Sequence, residues 1–573
     1  MKSMTGKASI DRPWMQYYPE EIKYLTIPEC TLFEYLDNSC SNKDVPVIHY
    51  YGTDISWKKM VEDVHVAAKA LKAIGFKEGD QIPAFLRSVP EFIVLLLAAE
   101  KIGASLLCRD NTLEENVEAV EKSGAKVIFA HDFLTQHEKE AYVKSAGVER
   151  IVLLSPYRSA IESEMPDYVK VHIESLYGKT SANGSDVLSW DEFLELGESY
   201  KGEVEAPTDI HRPLFRAYTS GSTGPSKQVV HSAHTMIGIV YQMTSYGSSD
   251  SFRPTWLLTV LPPALVAVVV SMILVPLASN KLLILDPFCD VFDIDREFVR
   301  YRPNCWPHIP MFIEILMHSK YITEDYDMSH LLVAGAGCEA FNNGQIRRIQ
   351  KFLNDHNCSA MYTSAYGQSE AGSNCTLPCL AHPSSDGNIG IPMPLTTMSI
   401  FKPGTDEELS YNELGEVCKT GPGNMLGYDS EEATKEALKL HSDGNVWLHT
   451  GDLGYINEDG VVFVLTRGNS RRYGGGRLID LVMENRVIDA NIDGIVDAFF
   501  LSAPDDEHEG YFLPYLYVVL KNGYTVDDIR DSVYEALELH EHPVKITQLD
   551  RRPFFHFKTN RVGLRQELRS AAN

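Results

Sequence analysis

The sequence predicts an α/β fold: a large N-terminal domain of mixed, largely parallel sheets covered by helices, followed by a small α+β domain. Three observations predict it. Apolar strand-like runs alternate with helix-period runs across residues 57–130, the pattern of parallel sheets joined by crossover helices. A chain of 573 residues is long for one hydrophobic core and suits two or three domains. Finally, residues 468–477 (Gly-Asn-Ser-Arg-Arg-Tyr-Gly-Gly-Gly-Arg) are glycine-rich, polar and basic, and an α+β pattern follows them. The domains are therefore expected at 1–467 and 468–573.

Residues 1–40 carry Trp14, Tyr17, Tyr18 and Tyr24, expected to form an arm packed on the main body. Val61, Val64, Ala67, Ala68, Leu71 and Ile74 recur at helical intervals, and Gly75 ends that helix before a turn at 77–80. Residues 81–86 read as a strand, 90–103 as a helix closed by its glycine, and 104–108 as a strand. A helix at 114–123 and a strand at 125–130 follow, and 181–185 read as a loop. Beyond the glycine-rich junction, strands are expected at 496–500 and 516–520, and a helix over 526–538.

Apolar content of 44% and charged content of 23% are ordinary for a soluble globular protein. A net charge of −27 argues against nonspecific binding to nucleic acid or anionic membrane, while local cations can still hold phosphates. The ten cysteines are scattered, and the first residues lack the apolar core of a signal peptide, so a cytoplasmic protein with reduced thiols is expected. Residues 256–278 carry no charge and imitate a membrane span. Pro262, Pro263 and Pro276 divide the stretch, so a buried strand and a core helix are expected instead of a stable span. The His231/His234 pair and Cys375-x3-Cys379-x2-His382 both fall short of a four-ligand zinc set.

The densest chemistry lies at Tyr218-Thr219-Ser220-Gly221-Ser222-Thr223-Gly224-Pro-Ser-Lys227. Glycines bring backbone N–H groups close to an anion, hydroxyls add donors, and Lys227 adds a charge suited to phosphate. A surface linker shares this composition, and the P-loop of NTPases needs Gly-Lys-Ser/Thr in succession. Here Lys227 follows Ser226 and precedes Gln228, so the P-loop pattern fails. The run closely resembles the pyrophosphate-clamping loop of the adenylate-forming enzymes: acyl-CoA synthetases, peptide-synthetase adenylation domains and luciferases.

The resemblance extends over residues 50 to 569, with further motifs in family order. Gly335-Ala336-Gly337 resembles the turn against adenine. Tyr366-Gly367-Gln368-Ser369-Glu370 resembles the signature in which an aromatic ring stacks on adenine, a hydroxyl touches the α-phosphate and a carboxylate holds Mg²⁺. It implies that Asp452 binds the ribose hydroxyls and Arg467 the ribose and phosphate. His231, Ala264, Leu265 and Pro310 fall where the family lines its acyl pocket. The family's Pro-Leu-Phe-His there is absent, and no aspartate offers itself to a substrate ammonium, which disfavours an amino acid.

The same resemblance makes 468–573 a mobile lid, with Ser470 at the hinge and Gly474, Gly475 and Gly476 beside the thiol tunnel. The terminal motif departs from the family's Gly-Lys. Alignment of the downstream arginines puts Arg561 at the lysine position, and Lys558 lies three residues earlier; either would join Lys227 as a catalytic cation. The implied reaction is ATP- and Mg²⁺-dependent activation of a fatty or other apolar acid to an acyl-adenylate, then thioester formation with coenzyme A. The alternatives are loading of an acyl carrier protein's phosphopantetheine, and a nucleotide-binding protein that no longer catalyses.

Overall fold

The computed structural model describes residues 4–204, 209–219, 226–245, 253–337, 339–468, 470–555 and 558–572. Helix Trp57–Ala73 turns Trp57, Met60, Val64, Ala67, Ala68 and Leu71 inward, the face its spacing dictates, and the Ser56 hydroxyl caps its first turn. Helix Pro90–Ile102 is buried on nearly all sides and stops at Gly103, whose left-handed φ of 78° closes the last turn.

Strands from this region build an eight-stranded sheet. Its order is Gly427–Tyr428, Gln228–Ser232, Pro213–Tyr218, Ser105–Leu107, Gln81–Phe85, Val127–His131, Arg150–Leu154 and Val187–Ser189. The pairings are parallel from Pro213–Tyr218 onward, as the alternation requires, and antiparallel at the end that carries Gln228–Ser232. A seven-stranded sheet runs Tyr362–Ser364, Val333–Ala336, Cys305–His308, Thr255–Leu258, Leu282–Leu285, Pro46–Tyr50 and Thr53–Ser56, parallel except for the last pair. One continuous apolar core joins the two. The third, smaller sheet is antiparallel and holds Gly415–Thr420, Val446–Ile456 and Val462–Arg467.

The uncharged stretch 256–278 divides at Pro262 and Pro263, between strand Thr255–Leu258 and a helical run made of a π-helical segment Val268–Leu274 and helix Val275–Ala278; Pro276 sits inside that run. Among the described residues, no helix is long and apolar enough to cross a membrane. In the N-terminal arm, Trp14 and Tyr18 are buried, and the Tyr17 hydroxyl lies 3.0 Å from His382 Nε2. Tyr24 departs from the expected packing, being 80% exposed. The nine described cysteines are all unpaired.

The C-terminal elements are a three-stranded sheet (Ile495–Pro504, Phe512–Leu520, Lys545–Leu549) with helices Asp480–Asp489, Val526–Ala536 and Arg561–Ala572. They have apolar clusters of their own. One of their docking points on the rest of the chain is the start of helix Asn343–Asp355. There the Asn343 amide donates to Asn485 Oδ1 at 2.8 Å, and Asn342 Nδ2 donates to the Ala498 carbonyl at 3.0 Å.

Candidate active site

Strand Val333–Ala336 pairs in register with Tyr362–Ser364, and the Ala365 amide donates to the Ala336 carbonyl at 2.8 Å. This brings Gly335-Ala336-Gly337 alongside the segment that carries Tyr366. Gly367 begins a tight hairpin with Ser373–Asn374, in which a Cβ at 367 would lie 1.8 Å from the Ser373 carbonyl oxygen. Only glycine permits that approach. The chain then turns through Ser369–Ala371 and delivers Glu370 to a buried position.

Tyr366 donates its hydroxyl hydrogen to Asp452 Oδ2 at 2.6 Å. Asp452 sits on a bulge. Glu416 pairs with Leu453 and Cys418 with His449, so four steps along one strand oppose two along its neighbour. Gly451, with φ of 74°, makes the bend. Asp452 also pairs in register with Arg467, whose Nε is 3.8 Å from Oδ1. Burial raises the Asp452 carboxyl above its ordinary range, with Arg467 and the Tyr366 hydroxyl opposing. Burial and the adjacent Asp452 push the Tyr366 phenol well up, so it stays a donor.

Glu370 forms a second centre. Its Oε1 accepts the Tyr428 hydroxyl at 2.7 Å, and Lys227 Nζ stands 4.9 Å from the centroid of the Tyr428 ring. Burial, then Glu370, raises the Tyr428 phenol. Lys227 is held at the neck of the glycine-hydroxyl loop. Its amide donates to Thr219 Oγ1 at 3.0 Å, the Thr219 amide donates back to its carbonyl at 2.9 Å, and the Ser226 hydroxyl donates to the Thr219 carbonyl at 2.6 Å. Ser220, Gly221, Ser222, Thr223 and Gly224 lie outside the described residues. The side-chain Nε2 of Gln368, between the two centres in sequence, is buried without a hydrogen-bond partner among the described residues.

His231 is fully buried, and burial lowers it to about 4, so it is neutral at pH 7. Its Nε2–H donates to the Ser369 carbonyl at 2.7 Å, which buttresses the Ser369–Glu370 turn. Ala264 is half-buried, Leu265 is 36% exposed, and Pro310 is buried as the first residue of helix Pro310–Met317.

At the C-terminus, Lys558 lies on strand Lys558–Thr559, which pairs with Phe554–Phe555. The Thr559 amide donates to Glu339 Oε2 at 3.0 Å, which fixes this hairpin beside the turn 335–337. Arg561 is bound on both sides, 2.6 Å from Glu339 Oε1 and 2.9 Å from Glu484 Oε1. Lys558 has no carboxylate partner among the described residues. Ser470 accepts the Leu478 amide at 2.9 Å, and Arg471 and Arg477 pair across the turn between them. Cβ atoms at Gly475 and Gly476 would meet His540, so these glycines pack against their own domain.

Tyr428, Glu339 and Glu484 carry no signal in the sequence. Tyr428 belongs to a two-residue strand, and its neighbour Glu370 is 58 positions away.

Residues 37–429 match the family described as AMP-binding enzyme, and the chain belongs to that family. It is 26% identical over 478 residues to a probable CoA ligase of Humulus lupulus, covering 82% of this chain and 80% of the relative. It is 24% identical over 470 residues to a long-chain-fatty-acid–CoA ligase of Salmonella typhimurium, covering 79% and 80%. Among solved structures, ATP-bound MatB from Rhodopseudomonas palustris superposes with a TM-score of 0.75 at 20% identity, covering 95% of this chain and 99% of that one. The anthranilate CoA ligase AuaEII, in complex with anthranoyl-AMP, gives 0.74 at 14% identity, covering 97% and 99%.

Proposed function

We propose that this enzyme is an AMP-forming acid–thiol ligase: it activates a fatty or other apolar carboxylic acid with ATP and passes the acyl group to the thiol of coenzyme A. The observation that carries the reading is that one short segment, 366–370, meets two separate partners: the Tyr366 hydroxyl donates to Asp452, and Glu370 accepts the Tyr428 hydroxyl. Asp452 accepts from ribose hydroxyls, Arg467 completes that contact, and Tyr366 stacks against adenine beside Gly335–Gly337. Ser369 and Gln368 face the phosphate; the unpaired buried Gln368 amide is a donor that a nucleotide acceptor would satisfy. Loop 219–227 with Lys227 clamps the phosphates that leave as pyrophosphate.

The donor set fits magnesium, because Glu370 offers a carboxylate oxygen and triphosphate offers the rest. Bound there, Mg²⁺ would neutralise phosphate charge. For coenzyme A, the arginine-flanked turn 471–477 offers cations suited to its phosphates. The acid's carboxylate attacks the α-phosphorus to give acyl-adenylate and pyrophosphate; the thiol then displaces AMP. Among the C-terminal cations we assign the first step to Lys558, because Arg561 is committed to two carboxylates. The segment 468–573 acts as a lid that pivots at Ser470. The relatives named CoA ligases and the uncharged stretch 256–278 support a thiol acceptor and an apolar acid.

Pyrophosphate exchange across a panel of fatty, aromatic and amino acids tests the reading. Exchange with apolar acids, followed by acyl-CoA formation, is expected. Absence of exchange with every acid would mean a binding protein without catalysis. Acylated carrier protein in place of acyl-CoA would replace the acceptor.

A further inference from the structure

Behind the bulge that presents Asp452, three different metal-binding side chains converge in the interior. Glu416 and Cys418 stand two apart on strand Gly415–Thr420 and share one face. His449 is the cross-strand partner of Cys418. The candidate ligand atoms of the three all lie within 4.8 Å of one another, and all three residues are buried. His449 Nδ1 is the meeting point, 2.9 Å from Glu416 Oε2 and 3.5 Å from Cys418 Sγ.

We propose that Glu416, Cys418 and His449 form a binding site for a borderline-soft divalent cation, zinc being the best fit. The three protein donors are one thiolate, one imidazole and one carboxylate, a set that zinc takes with a water as its fourth ligand and that magnesium or calcium do not. The spacing agrees. A tetrahedral zinc with its usual bond lengths puts sulfur and nitrogen about 3.5 Å apart, the separation of Cys418 and His449. Nitrogen and oxygen would stand about 3.3 Å apart, so Glu416 needs to move only a few tenths of an ångström. Charge balances as well, since a thiolate and a carboxylate neutralise a divalent ion in a site where a net charge would be costly. Binding releases the thiol proton to solvent, and the single ring proton of His449 moves from Nδ1 to Nε2.

A supporting residue is in place. His441, brought in by the turn after strand Leu438–Leu440, puts its Nε2 2.9 Å from His449 Nε2. With His441 accepting there, the His449 proton sits on Nε2 and the Nδ1 lone pair is left for the cation. Glu416 also accepts the Gly404 amide at 3.0 Å and the Gly451 amide at 3.1 Å, so the same carboxylate ties the site to the residue before Asp452.

The test uses the full-length protein, stripped with chelator and titrated with Zn²⁺ or Co²⁺ in excess Mg²⁺. One tightly held equivalent by elemental analysis is expected, with a thiolate-to-cobalt charge-transfer band in the near ultraviolet. Cys418→Ser, a change of one buried atom, should fold as the wild type does by circular dichroism and lose the band. His441→Ala should keep the band and weaken binding by about 10- to 100-fold. Cys379→Ala, which alters the other cysteine–histidine grouping, should change neither. Binding of no equivalent, or a band that survives Cys418→Ser, would overturn the proposal and leave the cluster as a buried Glu416–His449 hydrogen bond.

Discussion

Arg561, at the start of the last helix, reaches back 222 residues to place Nη1 2.6 Å from Oε1 of Glu339. Its other terminal nitrogen binds Glu484 within the C-terminal segment. One guanidinium therefore clamps the C-terminal segment to the turn that follows Gly335–Gly337. Burial works against its charge, but the two carboxylates prevail and hold the guanidinium above its ordinary range.

This clamp separates the two C-terminal cations by experiment. Arg561→Ala strands Glu484 and Glu339, and removing one partner of a buried pair costs about 3–5 kcal/mol. Its melting temperature should fall, while pyrophosphate exchange measured below the transition should drop less than about tenfold, roughly 1.4 kcal/mol. Lys558→Ala should show the reverse, an unchanged melt and a loss of about 100- to 1,000-fold in exchange. If the two patterns are exchanged, Arg561 is the reacting cation.

Tyr366→Phe removes the 2.6 Å hydrogen bond to Asp452 and leaves the ring for stacking. A hydrogen bond to a charged group contributes about 1.5–3 kcal/mol, so ATP should bind about 10- to 150-fold more weakly by calorimetry. Equal affinities would show that Asp452 is positioned by other means, with Arg467 the first candidate.

Gly367→Ala has no room for its Cβ, which would meet the backbone of Ser373 rather than a flexible side chain. Thermal unfolding should show a loss of more than about 1–3 kcal/mol, and activity should fall with it. A fully stable variant would show that the hairpin 367–374 opens at little cost.

Glu100 supplies a pH dependence remote from the site. Its carboxylate accepts the Leu32 amide at 2.7 Å and the Phe33 amide at 2.8 Å, capping helix Leu32–Ser39. Burial nevertheless raises it from 4.5 to about 7, with the two amides opposing. The folded state therefore holds a proton that the unfolded state releases between these values. The resulting stabilisation is full below pH 4.5 and is lost as pH rises through 7. Relative to Glu100→Gln, wild-type stability should decline across that window by up to about 1.4 kcal/mol per pH unit in denaturant titrations. A flat difference would show that the amides hold the carboxylate ionised throughout.

The sequence by itself determined the sheet-and-helix alternation of residues 57–130, because burial on a strand or helix repeats at a fixed period. It also marked Tyr366, Glu370 and Asp452, which stand in short motifs, and it divided 256–278 at Pro262 and Pro263. Tertiary structure decided what those residues touch. The His231 ring donates to the Ser369 carbonyl, and Tyr428 reaches Glu370 from a sheet edge. Glu416 and Cys418 lie in one short stretch and His449 in another; 31 residues separate the cysteine from its histidine, and the register of two strands unites them. A side-chain period shows which face a residue occupies; only the packed chain supplies the neighbour opposite. For Arg561, that neighbour is Glu339, 222 positions earlier in the chain.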